Sequence, residues 1–318
     1  MDHARSLPYR VPLVDGESTG SYVTRLAIRH GQPVSHFLTT VGEGRSAASV
    51  DPWQSELYVN RAARRQLAAM TGRSLDQLTR ALVSLRDEHL LPGSAENPVW
   101  KWPWRPHSGY VVRACALCAA RRGVLDPVWL IRPDSWHICV RHGRFHDNSH
   151  DGRDTFIDVS PAPHVIQAER RRLRLVRSGP AGRLLVADAF GVLAHEAVRL
   201  PRLGSSRTTP LRLLPIAVRV AFRMASLEQR RLEHRLRPDE HQRWLEQAAK
   251  DLGWRLGTAL VEWSRKHPPL EGVPAEHAQQ RWQLLLAAPH QDVPEMAPVD
   301  KLACVPWEIL ARSPRPYG

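Results

Sequence analysis

CALCAARRGVLDPVWLIRPDSWHICVRHG, residues 115–143, holds three of the chain's four cysteines beside a histidine. Cys115 and Cys118 form a C-x2-C knuckle, and Cys139 and His142 form a C-x2-H knuckle after twenty intervening residues. Two short knuckles about 15–20 residues apart are the usual layout of a structural zinc site. Each tight turn offers two ligands, and the chain between them closes so that four ligands meet in a tetrahedron. Gly143, directly after the histidine, suits a turn that needs positive φ. The intervening VWLIRPDSWHI is rich in β-branched and aromatic residues and predicts a short hairpin linking the two knuckles. His137 and His146 lie close enough in sequence to compete with His142 for the fourth position.

Two other chemistries compete for these cysteines. A C-x-x-C redox pair calls for a thioredoxin-like βαβ setting, which the flanking pattern lacks. A catalytic zinc keeps one position open beside an acid, and the nearest acid, Asp134, sits in a proline turn. A closed, structural Zn2+ held by Cys115, Cys118, Cys139 and His142 is therefore expected. Cys304, far from the others, reads as a buried apolar residue.

Outward from this window, a length of 318 residues implies two or three domains, and 42% hydrophobic content suffices for their cores. No apolar run reaches the roughly 18 residues of a membrane span. The opening MDHARSLPYRVP lacks the apolar segment of a signal peptide. Four cysteines, one of them far from the rest, do not suggest a secreted disulfide framework, and a cytoplasmic location is expected. The formal net charge is +13, with an isoelectric point near 10.5. That excess favours polyanionic partners, nucleic acid first. Only four of the basic residues are lysines (Lys101, Lys250, Lys266, Lys301). Such arginine dominance also follows from codon bias, so the sign of the charge carries the inference.

LPYRVPLVDGESTGSYVTRLAIRHG, residues 7–31, predicts a helix with Ser18 as N-cap, Tyr22, Val23, Leu26 and Ala27 on one face, and Gly31 at its end. RAARRQLAAMTGRSLDQLTRALVSL, residues 61–85, fits a helix-turn-helix. Gly72 lies at the turn, and Ser74 and Gln77 have capping-box spacing ahead of Leu75, Leu78 and Leu82. In a reading helix, Gln77, Thr79 and Arg80 lie near the end that meets base edges, with Arg61, Arg64, Arg65 and Arg73 around the unit. A plain αα-hairpin gives the same pattern, and the residues alone leave both open. Trp100, Trp102 and Trp104 alternate along an extended connector and are expected to cover a core rather than stack on bases. Further on, residues 163–176 predict a basic helix carrying Arg170, Arg171 and Arg174, expected to meet phosphates. Residues 181–200 predict a buried helix, and 211–290 further helices. The breaker-rich PRLGSSRTTP, residues 201–210, marks a boundary.

The expected fold is mainly α: an N-terminal helix-turn-helix plus a small zinc-ribbon hairpin, followed by a helical C-terminal region. The corresponding segments are 1–90, 91–160, 161–205 and 206–318, the last ending in an irregular tail.

Pro8, Pro12, Gly16-Glu17-Ser18, Ser21-Tyr22, Arg25-Leu26-Ala27 and Gly31, followed by Arg113, Cys115, Cys118, Trp136, Cys139, His142 and Gly143, resemble the signature of the TniQ family. The resemblance spans roughly residues 7–200. It implies a protein of transposition systems related to the TnsD target selectors, with a helix-turn-helix and a zinc ribbon. It also implies partnership with DNA, with a TnsC-like AAA+ ATPase and, in some elements, with a CRISPR effector complex; family adaptors can pair as homodimers. The chain departs from the family pattern in two places. Ala116 stands where a proline is common, and FHDNSHDG (145–152) stands where a further cysteine pair often lies. A second metal site is thus expected only if His146 and His150 replace those cysteines.

These readings converge on a non-enzymatic DNA-binding adaptor for target-site selection in transposition. The alternative is a zinc-containing transcriptional regulator without a transposase partner. A nuclease or transposase is disfavoured, because the sequence shows no carboxylate cluster, P-loop or nucleophile–base arrangement.

Overall fold

Proline at positions 8 and 12 keeps the first residues extended, and the chain then turns at Gly16 (φ 77°) into α1 (Thr19–Arg29). In this computed structural model the described residues are 6–44, 55–93, 96–102, 110–132, 134–148, 156–177, 180–197, 208–232 and 237–265. The chain divides into two compact units, Met1–Asp158 and Val159–Gly318. No described helix is long and apolar enough to cross a membrane.

In the first unit, Ser18 caps α1 by accepting a bond from the Ser21 amide at 2.9 Å. Tyr22, Val23, Leu26 and Ala27 are buried on one stripe of the helix, as their spacing predicts. Gly31 follows the helix end with φ 63°. α2 (Val34–Val41) adds Phe37, Leu38 and Val41 to the same core. Strand β1 (Tyr58–Val59) leads into α3 (Arg61–Thr71), and Gly72 (φ 59°) turns the chain into α4 (Leu75–Ala81). Both reciprocal bonds of the Ser74–Gln77 capping box are present. Leu67, Met70, Leu78 and Leu82 close the core from this side. Single turns of 3-10 helix follow at Val83–Leu85 and Asp87–His89.

Strand β2 (Trp100–Lys101) pairs antiparallel with β1. Trp100 is buried in the core, and its Nε1 donates to the Gly42 carbonyl at 2.8 Å. A Cβ at Gly44 would lie 2.3 Å from the Trp100 ring, so only glycine admits the indole there. Trp102 packs against the same core and donates to Ser55 Oγ. Trp100 and Trp102 therefore cover a core; Trp104 lies outside the described residues. Asn60 ties these pieces together by accepting from the amides of Ala63 (2.9 Å) and Val99 (3.0 Å).

The rest of the first unit is a pair of hairpins. β3 (Tyr110–Arg113) runs into the short helix α5 (Ala116–Ala120) and returns as β4 (Trp129–Arg132), with Arg113 opposite Trp129. β5 (Trp136–Cys139) pairs with β6 (Arg144–Asp147), and β6 with β7 (Ile157–Asp158). The expected hairpin between the knuckles is thus corrected. β4 and β5 do not pair; each knuckle sits inside its own hairpin, because β4 is satisfied by β3 and β5 by β6.

In the second unit, α6 (Pro163–Arg177) and α7 (Pro180–Ala197) both pack on α8 (Thr209–Leu232), and α9 (Pro238–Leu252) packs on α10 (Trp254–Arg265). Most of 201–210 lies outside the described residues, and so does everything after Arg265.

Glu56 couples the first unit's stability to pH. It is fully buried, and its Oε1 accepts from the amides of Thr19 (2.7 Å) and Gly20 (3.3 Å) at the start of α1. Burial pushes its carboxyl up from 4.5 to about 8. Between those values the folded protein keeps a proton that the unfolded chain has released. Its contribution is therefore complete below 4.5 and lost as pH rises through about 8. At 1.36 kcal/mol per pH unit the loss is bounded at about 5 kcal/mol. Glu56→Gln, which cannot ionise, should gain on the wild type by a few kcal/mol between about pH 5 and about pH 9 in urea unfolding. A pH-independent gap between the two proteins would rule this out.

Candidate metal centre and its scaffold

Cys115 is the N-cap of α5 and Cys118 lies in its first turn, whose amide donates to the Cys115 carbonyl at 3.0 Å. Cys139 ends β5. The chain then turns so that the His142 amide donates to the Cys139 carbonyl at 3.2 Å, and Gly143 (φ 59°) starts the return. That left-handed residue is the one the knuckle needs.

The two knuckles converge. His142 Nδ1 lies 3.4 Å from Cys115 Sγ, 3.3 Å from Cys118 Sγ and 3.4 Å from Cys139 Sγ. Cys118 Sγ and Cys139 Sγ are 3.5 Å apart, and all four ligand atoms lie within 4.8 Å of one another. A tetrahedron with Zn–S near 2.3 Å and Zn–N near 2.05 Å has edges of about 3.6 Å for S···N and about 3.8 Å for S···S. The observed edges agree within a few tenths of an ångström. They are far longer than a disulfide bond of about 2.05 Å, and the three cysteines are free thiols. The four side chains could hold one metal ion, and three sulfurs with one imidazole form a donor set that suits Zn2+.

Electrostatics fit that use. Burial pushes the Cys115 and Cys139 thiols up, which disfavours bare thiolates there. Desolvation lowers His142, helped by Arg141, Arg144 and Arg121, so the imidazole is neutral and able to ligate. A bound dication would supply the positive charge that buried thiolates need. His137 and His146 are not part of the cluster. They face each other across the β5–β6 ladder, with ring centroids 6.4 Å apart. Of these three histidines, His142 is the one that lies in the cluster. Among the described residues this is the one cluster able to hold a metal, and His150 lies outside them.

The ribbon is fastened to the helices by the segment Gly16–Ser18. The Ser18 amide donates to the Trp129 carbonyl at 2.8 Å, and the Ile131 amide to the Gly16 carbonyl at 2.9 Å. On its other side the Gly16 amide bonds the Ala81 carbonyl at 2.8 Å. Beneath it lies a buried ion pair. Arg25 Nε donates to Glu17 Oε1 at 2.8 Å, its Nη2 reaches Glu17 Oε2, and the same Nη2 donates to the Pro12 carbonyl at 2.9 Å. The Ser21 hydroxyl donates to Glu17 Oε1 at 2.8 Å and accepts from the Trp129 amide at 3.0 Å. The sequence reading singled out Glu17, Ser21 and Arg25 only as parts of a signature. It missed that they act together, and Glu56 altogether, because no local periodicity marks a partner many residues away.

The arginines expected to meet DNA are placed unequally. Arg61, Arg65, Arg80 and Gln77 are exposed, while Thr79 and Arg73 are half-buried. Arg73 Nη2 donates to the Val11 carbonyl at 3.4 Å, and the Thr79 hydroxyl to the Leu75 carbonyl at 3.0 Å. Arg64 is corrected. It is buried, with Nη1 on the Leu85 carbonyl and the Asp87 carboxylate, both at 2.9 Å, so its charge is used inside the fold. On α6, Arg170, Arg171 and Arg174 are exposed, and the last two line a cavity of the second unit.

The described residues thus form a helical unit stapled to a two-hairpin ribbon, with one Cys3His cluster that could hold a metal ion. Residues 8–145, somewhat under half of the chain, match the TniQ family model. A match of that kind is consistent with transposition-associated target selection. Comparison with curated proteins and with solved structures finds no match.

Proposed function

We propose that the protein is a non-enzymatic DNA-binding adaptor for target-site selection in DNA transposition, recruiting a TnsC-like AAA+ ATPase and, in systems that use one, a CRISPR effector complex. The family match over residues 8–145 is the observation that carries this reading. Cys115, Cys118, Cys139 and His142 would hold one structural Zn2+, leaving no coordination position for a substrate. The metal supplies a rigid joint between the hairpins and no reaction step.

DNA would be held by the exposed arginines of the α3–α4 unit. Arg61 and Arg65 lie one turn apart at i, i+4 on α3, and Arg80 lies in the last turn of α4. Gln77 is exposed on the first turn of α4, where it could approach a base edge. Arg170 on α6 is a further phosphate contact in this reading. The chain's +13 charge would add long-range attraction.

Fluorescence anisotropy with a labelled duplex, read against salt, tests the assignment. Arg65→Ala with Arg80→Ala should weaken binding at least about tenfold and reduce the log K–log salt slope by about 2, one for each lost phosphate contact. Unchanged affinity and slope would remove this helical pair from the DNA interface.

A further inference from the structure

A cavity of about 610 Å³ opens in the second unit between α6, α8 and α9. Its floor is apolar: Leu175 and Val218 are buried there, and the Phe222 ring is 41% exposed. Around it stand Arg171 and Arg174 from one turn of α6, and Arg219 and Arg223 from one turn of α8. Among the described residues of the lining Asp251 of α9 is the one carboxylate, and it pairs with Arg223. The other three arginines have no carboxylate partner among the described residues. Keeping like charges this close around an exposed aromatic ring costs free energy unless something anionic and partly apolar comes to lie there.

We propose that this cavity docks an acidic peptide segment of a protein partner, one presenting a large apolar side chain flanked by carboxylates. The inference does not rest on the DNA-binding reading, and it draws Arg171 and Arg174 away from the phosphate contacts expected of them. Planar guanidinium groups match carboxylates through paired hydrogen bonds, and their separation on two helices suits acids on both sides of an anchor. The volume lies in the range of about 300–1,000 Å³ that holds a discrete ligand group, with room for one side chain and its neighbouring backbone. Duplex DNA has no apolar knob to fill such a pit. A single strand needs successive aromatic platforms, whereas Phe222 is the sole aromatic among the described lining residues. Asp251 already engages Arg223, which leaves Arg171, Arg174 and Arg219 to meet the acids of the peptide.

The test uses the full chain as bait for a random phage-displayed peptide library, with the recovered consensus remade as a fluorescein-labelled peptide for anisotropy. The wild type should enrich peptides with Asp or Glu within a few residues of Trp, Phe or Leu. Arg174→Glu with Arg219→Glu should weaken the labelled peptide at least about tenfold, as should Phe222→Ser, while Arg80→Glu leaves binding unchanged. These arginines are exposed, so the variants should keep the wild-type circular dichroism; Arg171→Glu gives the same reading if the pair does not fold. No enrichment, enrichment without acids, or indifference to the cavity variants would overturn the proposal. A labelled oligothymidine that displaces the peptide, with the same sensitivity to Arg174→Glu and Arg219→Glu, would overturn it too, reassigning the cavity to single-stranded nucleic acid.

Discussion

Protein purified without chelator is expected to carry one zinc per chain, and Cys118→Ser or Cys139→Ser to lose both the metal and the folded ribbon. The size of the effect follows from the smallness of the ribbon's own core. Beside the first knuckle the buried cluster consists of Val14, Ala114, Ala119, Val124, Val128 and Leu130, most of them small. The second hairpin adds Ile138 and the stacked Trp136 and Phe145 rings. Burying a valine or leucine contributes about 1.5–3 kcal/mol, and ordering each backbone residue costs about 1–2 kcal/mol. A module of this size is marginal without a staple. Structural zinc contributes about 10–16 kcal/mol in small peptides near neutral pH, which is more than an average domain's whole stability.

Elemental analysis and thermal unfolding read the outcome. A strong chelator or either cysteine variant should lower the unfolding midpoint by at least about 10 °C. Co2+ substitution should give the visible absorption of a tetrahedral thiolate site. His142→Ala should behave like the cysteine variants, whereas His137→Ala should keep its zinc, since its ring faces His146 across the ladder. Metal-free protein with unchanged stability, or zinc retained in Cys118→Ser, would falsify the four-ligand assignment.

How much of this was legible follows the range of each interaction. Ser18, Gly72, the Ser74–Gln77 box and Gly143 act within four residues of themselves, and each adopts the local geometry its residue type predicts. The Cys3His cluster was legible although Cys118 and Cys139 are far apart, because a tetrahedral site admits few ligand spacings. Pairing was not. β-Branched residues at 128–138 announce strands, but nothing in that stretch says that β4 belongs to β3 and β5 to β6. The two-residue strands at Tyr58 and Trp100 are too short for any alternation to show. Arg64 illustrates the opposite failure. Its neighbours Arg61 and Arg65 are exposed, yet one position on the helix turns it inward to a carbonyl twenty-one residues away. The Glu17–Arg25 pair joins both cases, since its residues were conspicuous while its role depends on Trp129.

Arg25→Met is expected to cost the first unit about 3–5 kcal/mol, as breaking a buried ion pair typically does. The Glu17 and Arg25 side chains are 0% and 2% exposed, so neither finds water when its partner is removed. Forming the pair is a different quantity. Desolvation of both ions nearly cancels their attraction, and an apolar pair of similar shape can be equally stable. A double-mutant cycle separates the two. Glu17→Gln alone strands the guanidinium, while Glu17→Gln with Arg25→Met removes both charges and should cost at least about 2 kcal/mol less than the sum of the single changes. Additive costs would mean that the ions contribute separately, through packing alone. Ser21 links the pair to the Trp129 amide, so amide exchange in β4 should accelerate in Arg25→Met. Zinc content should not change. The ligands belong to the knuckles, whereas Gly16–Ser18 fastens the ribbon to the helices, and loosening that joint leaves the tetrahedron its own four side chains. Loss of zinc from folded Arg25→Met protein would show instead that the ion pair helps to build the metal centre.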